Sequence, residues 1–236
     1  MKKALSLSCL LIALCLPNAQ ASDLEKEKRW AAQIVDSLMD GDATYLNDGT
    51  SDFLALVTES DETKKGAVVM HGSGVHPNWP TIVLPLRVGL TQHGWHTISI
   101  QMPVLANEAE YDEYTAVFPE VPARVDAAIE YLKNEMGVET VVLVAHSLGA
   151  AMNTYYLSNH KPDIAGFVAI GLGPGSKDPV RDTTEQLKKI NMPMLDLYGE
   201  EDLPGVVENA DARRQAQSGN AEYTQIMEPG ADHFFE

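Results

Sequence analysis

Residues 141–153, VVLVAHSLGAAMN, decide the fold. Aliphatic and β-branched residues run without polar alternation up to Ala145, the pattern of a strand buried on both faces. The run breaks at His146-Ser147, and a stretch of small and then large residues with helical character begins at Leu148. A serine at such a junction sits at the carboxyl end of a parallel strand, where ligands gather in open α/β sheets. Gly149, Ala150 and Ala151 are small enough for the helix to start close to the strand, and its first amides point back at the serine. Two readings of Ser147 are open here: a helix N-cap, or a hydroxyl offered to a substrate.

The surrounding pattern extends the same architecture. Residues 66–72, 96–103, 139–146, 164–171, 193–199 and 221–228 read as strands. Residues 80–93, 122–137, 148–160, 183–190 and 206–219 read as helices, with Pro80 and Pro122 at starts and Gly137 past an end. Residues 24–39 place Trp30, Ile34, Val35 and Leu38 on one face of a leading helix. Two β-type runs flank Asn47-Asp48-Gly49, a hairpin signal. The alternation predicts an α/β fold class: one mostly parallel, doubly wound sheet with helices on both faces, an antiparallel hairpin near the N-terminus, and a small or absent cap. One domain is expected over residues 22–236.

A serine hydroxyl is a weak nucleophile unless a base takes its proton, and the base needs an orienting acid. Strand ends downstream of Ser147 supply both. YGEEDLPG, residues 198–205, offers Asp202 as the acid, with Glu200 and Glu201 as rivals. GADHFF, residues 230–235, offers His233 as the base. MHGSG, residues 70–74, ends an earlier strand in a Gly-rich loop whose Ser73 amide suits an oxyanion hole together with the Leu148 amide. His146 is expected to pack or hydrogen-bond beside the cleft. Trp79 is either an acyl-site wall or a rim tryptophan. Met102 and Leu105 are expected near the mouth of an open cleft.

HGSG, AHSLGA, YGEEDLPG and GADHFF, in this order, resemble the α/β-hydrolase superfamily over roughly residues 66–236. The stretch HGSGVHPNWPTIVLPLRVGLTQHGWHTISIQMP, residues 71–103, is similar to a group of uncharacterised, signal-bearing bacterial proteins of that fold. The resemblance implies Ser147 as nucleophile, His233 as base and Asp202 as acid of a serine hydrolase acting on a carboxylic ester or related acyl bond, a small-molecule substrate. Two alternatives remain: a peptidase with the same residues, and a non-catalytic binding protein on the scaffold, since fold alone does not confer activity. The chain departs from the superfamily pattern twice. Ala145 replaces the first glycine of G-x-S-x-G, and only Phe234, Phe235 and Glu236 follow His233 where the superfamily usually has a bracing helix. That second departure predicts a mobile, poorly held His loop.

Residues 1–21 carry Lys2 and Lys3, an apolar stretch from Ala4 to Leu16, and Ala19-Gln20-Ala21. This is the layout of a secretory signal peptide, and it points to a periplasmic or secreted bacterial protein. The apolar stretch falls short of a membrane span, so no stable membrane insertion is expected. Leu14 is bulky for a lipid-attached cysteine at Cys15. Cys9 and Cys15 both lie in this segment, which removes thiol chemistry, disulfides and Cys-ligated metal from the remainder. The net charge of −17 disfavours nucleic acid. No cofactor is expected, and the spacing of His71, His76, His93 and His96 makes no zinc motif.

Overall fold

The strand that ends in His146 lies inside an eight-stranded sheet of order β1-β2-β4-β3-β5-β6-β7-β8. The computed structural model describes residues 21–236; the expected signal peptide, with both cysteines, lies outside the described residues but for Ala21. The strands are β1 (Asp42–Asn47), β2 (Asp52–Thr58), β3 (Lys65–Met70), β4 (His96–Ile100), β5 (Thr140–His146), β6 (Gly166–Ile170), β7 (Met194–Gly199) and β8 (Tyr223–Glu228). From β4 to β8 every neighbouring pair is parallel. β1 and β2 form the expected antiparallel hairpin, and β2 joins β4 antiparallel.

Alternate residues of the strands serve two cores, because successive side chains point to opposite faces. On one face Val68, Met70, Phe167 and Ala169 pack with α3 (Val121–Asn134), α4 (Leu148–Asn159) and α5 (Thr183–Leu187). On the other, Leu54 and Leu56 meet Ala31 and Ile34 of α1 (Leu24–Ser37). Ala67, Val144 and Ile170 meet Leu86 of α2 (Val83–Gly89) on that same side. Helices therefore cover both faces, as doubly wound sheets require. Among the described residues no helix is long and apolar enough to cross a membrane.

Several boundaries differ from the sequence pattern. The helix expected from residue 80 begins at Val83 and tightens into a 3-10 turn over Leu90–His93. The helix expected over 206–219 is two, α6 (Pro204–Glu208) and α7 (Ala210–Ala216), joined at Asn209. A 3-10 run over Tyr111–Glu120 was not anticipated; tighter winding lacks the 3.6-residue apolar rhythm. On α1, Val35 is 41% exposed while Lys26 and Glu27 are buried. The buried face of α1 is set by what it meets. Glu27 pairs at 2.9 Å with Arg124 of α3, whose side chain is fully buried.

Candidate active site

Ser147 sits at the turn between β5 and α4 with φ 55° and ψ −123°, a conformation that a non-glycine residue rarely adopts. Its amide is anchored on the Ile170 carbonyl of β6 at 2.8 Å. Helix α4 starts so close to β3 that a Cβ at Gly149 would lie 2.4 Å from the His71 carbonyl oxygen, so only glycine fits there. Ala145 stands fully buried in register with Met70 and Ala169, so its methyl group is absorbed by the core and the turn still forms. Ser147 occupies the N-cap position, yet its side chain makes no capping hydrogen bond. Its Oγ instead lies 2.9 Å from His233 Nε2.

His233 Nδ1 lies 2.5 Å from Asp202 Oδ1. Asp202 is presented by the turn after β7, and its side chain is fully shielded from solvent. The Leu203 amide donates to the same carboxylate at 2.7 Å. Burial pushes the Asp202 carboxyl up, but the His233 ring and the Leu203 and Gly199 amides outweigh it and hold the group below the usual carboxylate range. Of the two rival acids, Glu200 accepts from the Gly230 amide at 3.0 Å and Glu201 is exposed.

The His loop is tied down, contrary to the expectation of a poorly held base. His146 Nε2–H donates to the His233 carbonyl at 2.9 Å, and the two imidazole rings pack 4.7 Å apart. Burial lowers the His146 pKa to about 4, which keeps the ring neutral, and the carbonyl acceptor places its one proton on Nε2. Asp232 closes the loop by accepting from the Phe234 and Glu236 amides. Phe235 packs beside Ile170 on the sheet.

The Gly-rich loop after β3 abuts the serine, for a Cβ at Gly72 would lie 2.9 Å from Ser147 Cβ. Its geometry is set by His71. His71 Nε2 accepts from the Met102 amide at 2.9 Å, so Nδ1 carries the proton and donates to the Gly72 carbonyl at 2.8 Å. Burial lowers the His71 pKa to about 3. The Gly72 carbonyl and the Ser73 N–H share one trans peptide plane and point opposite ways. Anchoring the carbonyl on His71 turns the Ser73 N–H away from that ring. The Ser73 and Leu148 amides have no acceptor among the hydrogen bonds of the described residues.

Ser147 and His233 open on a cleft of about 320 Å³. Val75, Tyr111, Leu203, Val206 and Phe234 make its apolar walls. Three pocket expectations are corrected. Met102 is buried in the core below the cleft. Leu105 packs against that core, and its carbonyl accepts from Lys26. Trp79 stacks edge-on with His76, which in turn meets Trp30, because the chain turns away from the cleft after Val75. The segment after β4 reaches the cleft through Tyr111 instead. Tyr111, Leu203, Val206 and Phe234 were missed; the adjacency of Phe234 to His233 and of Leu203 to Asp202 was the available signal. Among the described residues no group of three or more His, Cys, Asp or Glu is arranged to hold a metal.

Comparison with known proteins places this geometry in context. A family model described as "Protein of unknown function (DUF3530)" matches residues 13–123 and 113–228. No curated protein matches the chain. Solved structures share the fold at low identity. The Pyrococcus furiosus esterase Pf2001 superposes with a TM-score of 0.67 at 15% identity, over 85% of this chain and 86% of that one. A dienelactone hydrolase from Anabaena variabilis gives 0.64 at 18%, over 83% and 88%. An alpha-beta serine hydrolase homologue from Coxiella burnetii gives 0.63 at 16%, over 84% and 91%. The sheet and its helices are thus an α/β-hydrolase fold.

Proposed function

The chain belongs to the DUF3530 family, and we propose that it is a serine hydrolase that cleaves a carboxylic ester or related acyl bond. The observation that carries this is the unbroken relay from Ser147 Oγ through His233, at 2.9 Å and 2.5 Å, to a buried Asp202. In this reading Ser147 Oγ attacks the acyl carbon as His233 Nε2 takes its proton. The carbonyl oxygen becomes an oxyanion held by the Ser73 amide of the Gly-rich loop and the Leu148 amide at the head of α4. His233 returns the proton to the departing alkoxide, leaving an acyl group on Ser147. Water, deprotonated by the same imidazole, then releases the acid. Asp202 keeps Nδ1 protonated and stabilises the imidazolium while it exists.

An esterase and a dienelactone hydrolase stand among the structural neighbours, in agreement with this chemistry. The Lys2-to-Ala21 pattern supports a periplasmic or secreted site of action for one domain beginning near residue 22. The test is kinetic. Ser147→Ala should lower kcat for a short-chain aryl ester by about 10³-fold or more, with folding unchanged by circular dichroism. Turnover undiminished in that variant rejects the assignment.

A further inference from the structure

Beside the catalytic cleft lies a second cavity of about 220 Å³ that shares Ser73 and Tyr111 with it. The far wall carries Lys26 of α1. This residue is unusual on three counts. It is only 5% exposed, although lysine is among the residues least often buried. Its Nζ forms no ion pair among the described residues; the ammonium donates to the neutral Leu105 carbonyl at 2.7 Å and lies 4.8 Å from the Trp30 ring centre. An ammonium has three donors, so two N–H groups remain for whatever enters the cavity. Burial lowers its pKa, and Asp23 and Glu108 oppose that from a distance. Such a poorly hydrated cation gains by receiving an anion, and its free N–H groups can give charge-assisted hydrogen bonds to a carboxylate.

We propose that Lys26 is a specificity-determining residue that receives a carboxylate on one arm of the substrate, making the preferred ester an anionic one. The arm leaves the reaction centre past Ser73 and Tyr111 and ends at the ammonium. This inference rests on the reading of Ser147 as the nucleophile.

The experiment compares kcat/KM within two matched pairs: 4-nitrophenyl glutarate against 4-nitrophenyl valerate, with the charge on the acyl arm, and 4-acetoxybenzoate against its methyl ester, with the charge on the leaving arm. In Lys26→Met the anionic-to-neutral ratio should fall by about tenfold or more for at least one pair. In Lys26→Arg, which keeps the charge, that ratio should stay near the wild-type value. A variant that merely folds poorly lowers both members of a pair and leaves the ratio alone. Unchanged ratios in Lys26→Met, or Lys26→Arg falling as far as Lys26→Met, overturn the proposal. A binding arm separates it from the nucleophile assignment. Ser147→Ala is titrated calorimetrically with 4-nitrophenyl glutarate, with and without Lys26→Met. At least about tenfold weaker binding in the double variant upholds the anion site even where turnover is absent. Equal binding, or none in either protein, rejects it.

Discussion

Gly171, just past the end of β6, offers a way to disturb the proposed base, His233, without touching any of the three relay side chains. Its φ is +60°, and a Cβ built there would lie 2.9 Å from His233 Cε1 and 3.1 Å from Nδ1. Carbon atoms sit best about 3.5–4.0 Å apart. In Gly171→Ala the imidazole must therefore retreat by about 0.6–1.1 Å. It has little room to do so, with His146 packed 4.7 Å away, ring centre to ring centre, and Asp202 holding Nδ1. A retreat of that size takes the Ser147–His233 contact from 2.9 Å to the edge of hydrogen bonding or past it. Misplacing a catalytic group by about 1 Å costs about 10²-fold in rate. The left-handed backbone adds about 1–2 kcal/mol of destabilisation, or about 2–8 °C in Tm for a chain of this size. The assay is kcat/KM on a short-chain aryl ester well below the melting range, alongside a thermal melt. Activity within threefold of wild type, together with the lowered Tm, would refute the argument that the ring position governs the rate.

Two further variants probe the structure around the site. The folded pKa of His146, about 4, lies below the unfolded value of about 6.5, so the native state binds fewer protons in that window. Its contribution is full above about pH 6.5 and is lost as pH falls toward 4, a total of roughly 3 kcal/mol; His71 acts with the same sign. His146→Gln keeps a donor for the His233 carbonyl and should flatten the decline in urea stability between pH 7 and pH 5; parallel declines would count against it. Arg213 of α7 and Asp196 of β7, the strand that leads to Asp202, are both fully buried and pair at 2.7 Å. Arg213→Met leaves that carboxylate without its counter-charge, with only the Tyr223 hydroxyl and the Gln225 amide still donating to it, and should lower urea-unfolding stability by about 3–5 kcal/mol; a loss below about 1 kcal/mol would count against the ion pair as a structural requirement.

The sequence is most legible where one physical demand acts alone. An apolar run stopping at His146-Ser147 and small residues after it leave little choice but strand, turn and helix, and observed β5 and α4 end within a residue or so of the expected limits. That Ser147, Asp202 and His233 would meet was legible because each ends or follows a strand on the same rim. The pocket was less legible, since which side chain lines a cleft depends on where a loop turns after its last constrained residue. Val75, not Trp79, took the position after the Gly-rich loop, and Tyr111, not Met102, took the position after β4. α1 shows the same limit. Apolar periodicity selected Val35 for the inner face, while the Arg124 guanidinium drew Glu27 there, and tertiary partners of that kind leave no local trace.

Activation of Ser147 underlies the proposed chemistry, and covalent labelling reads that activation directly. A fluorophosphonate should add once to the protein, at Ser147 by peptide mapping, with no adduct in Ser147→Ala and labelling slowed by at least about 10²-fold in His233→Ala. An unlabelled protein, or one whose labelling rate ignores the loss of His233, would contradict it.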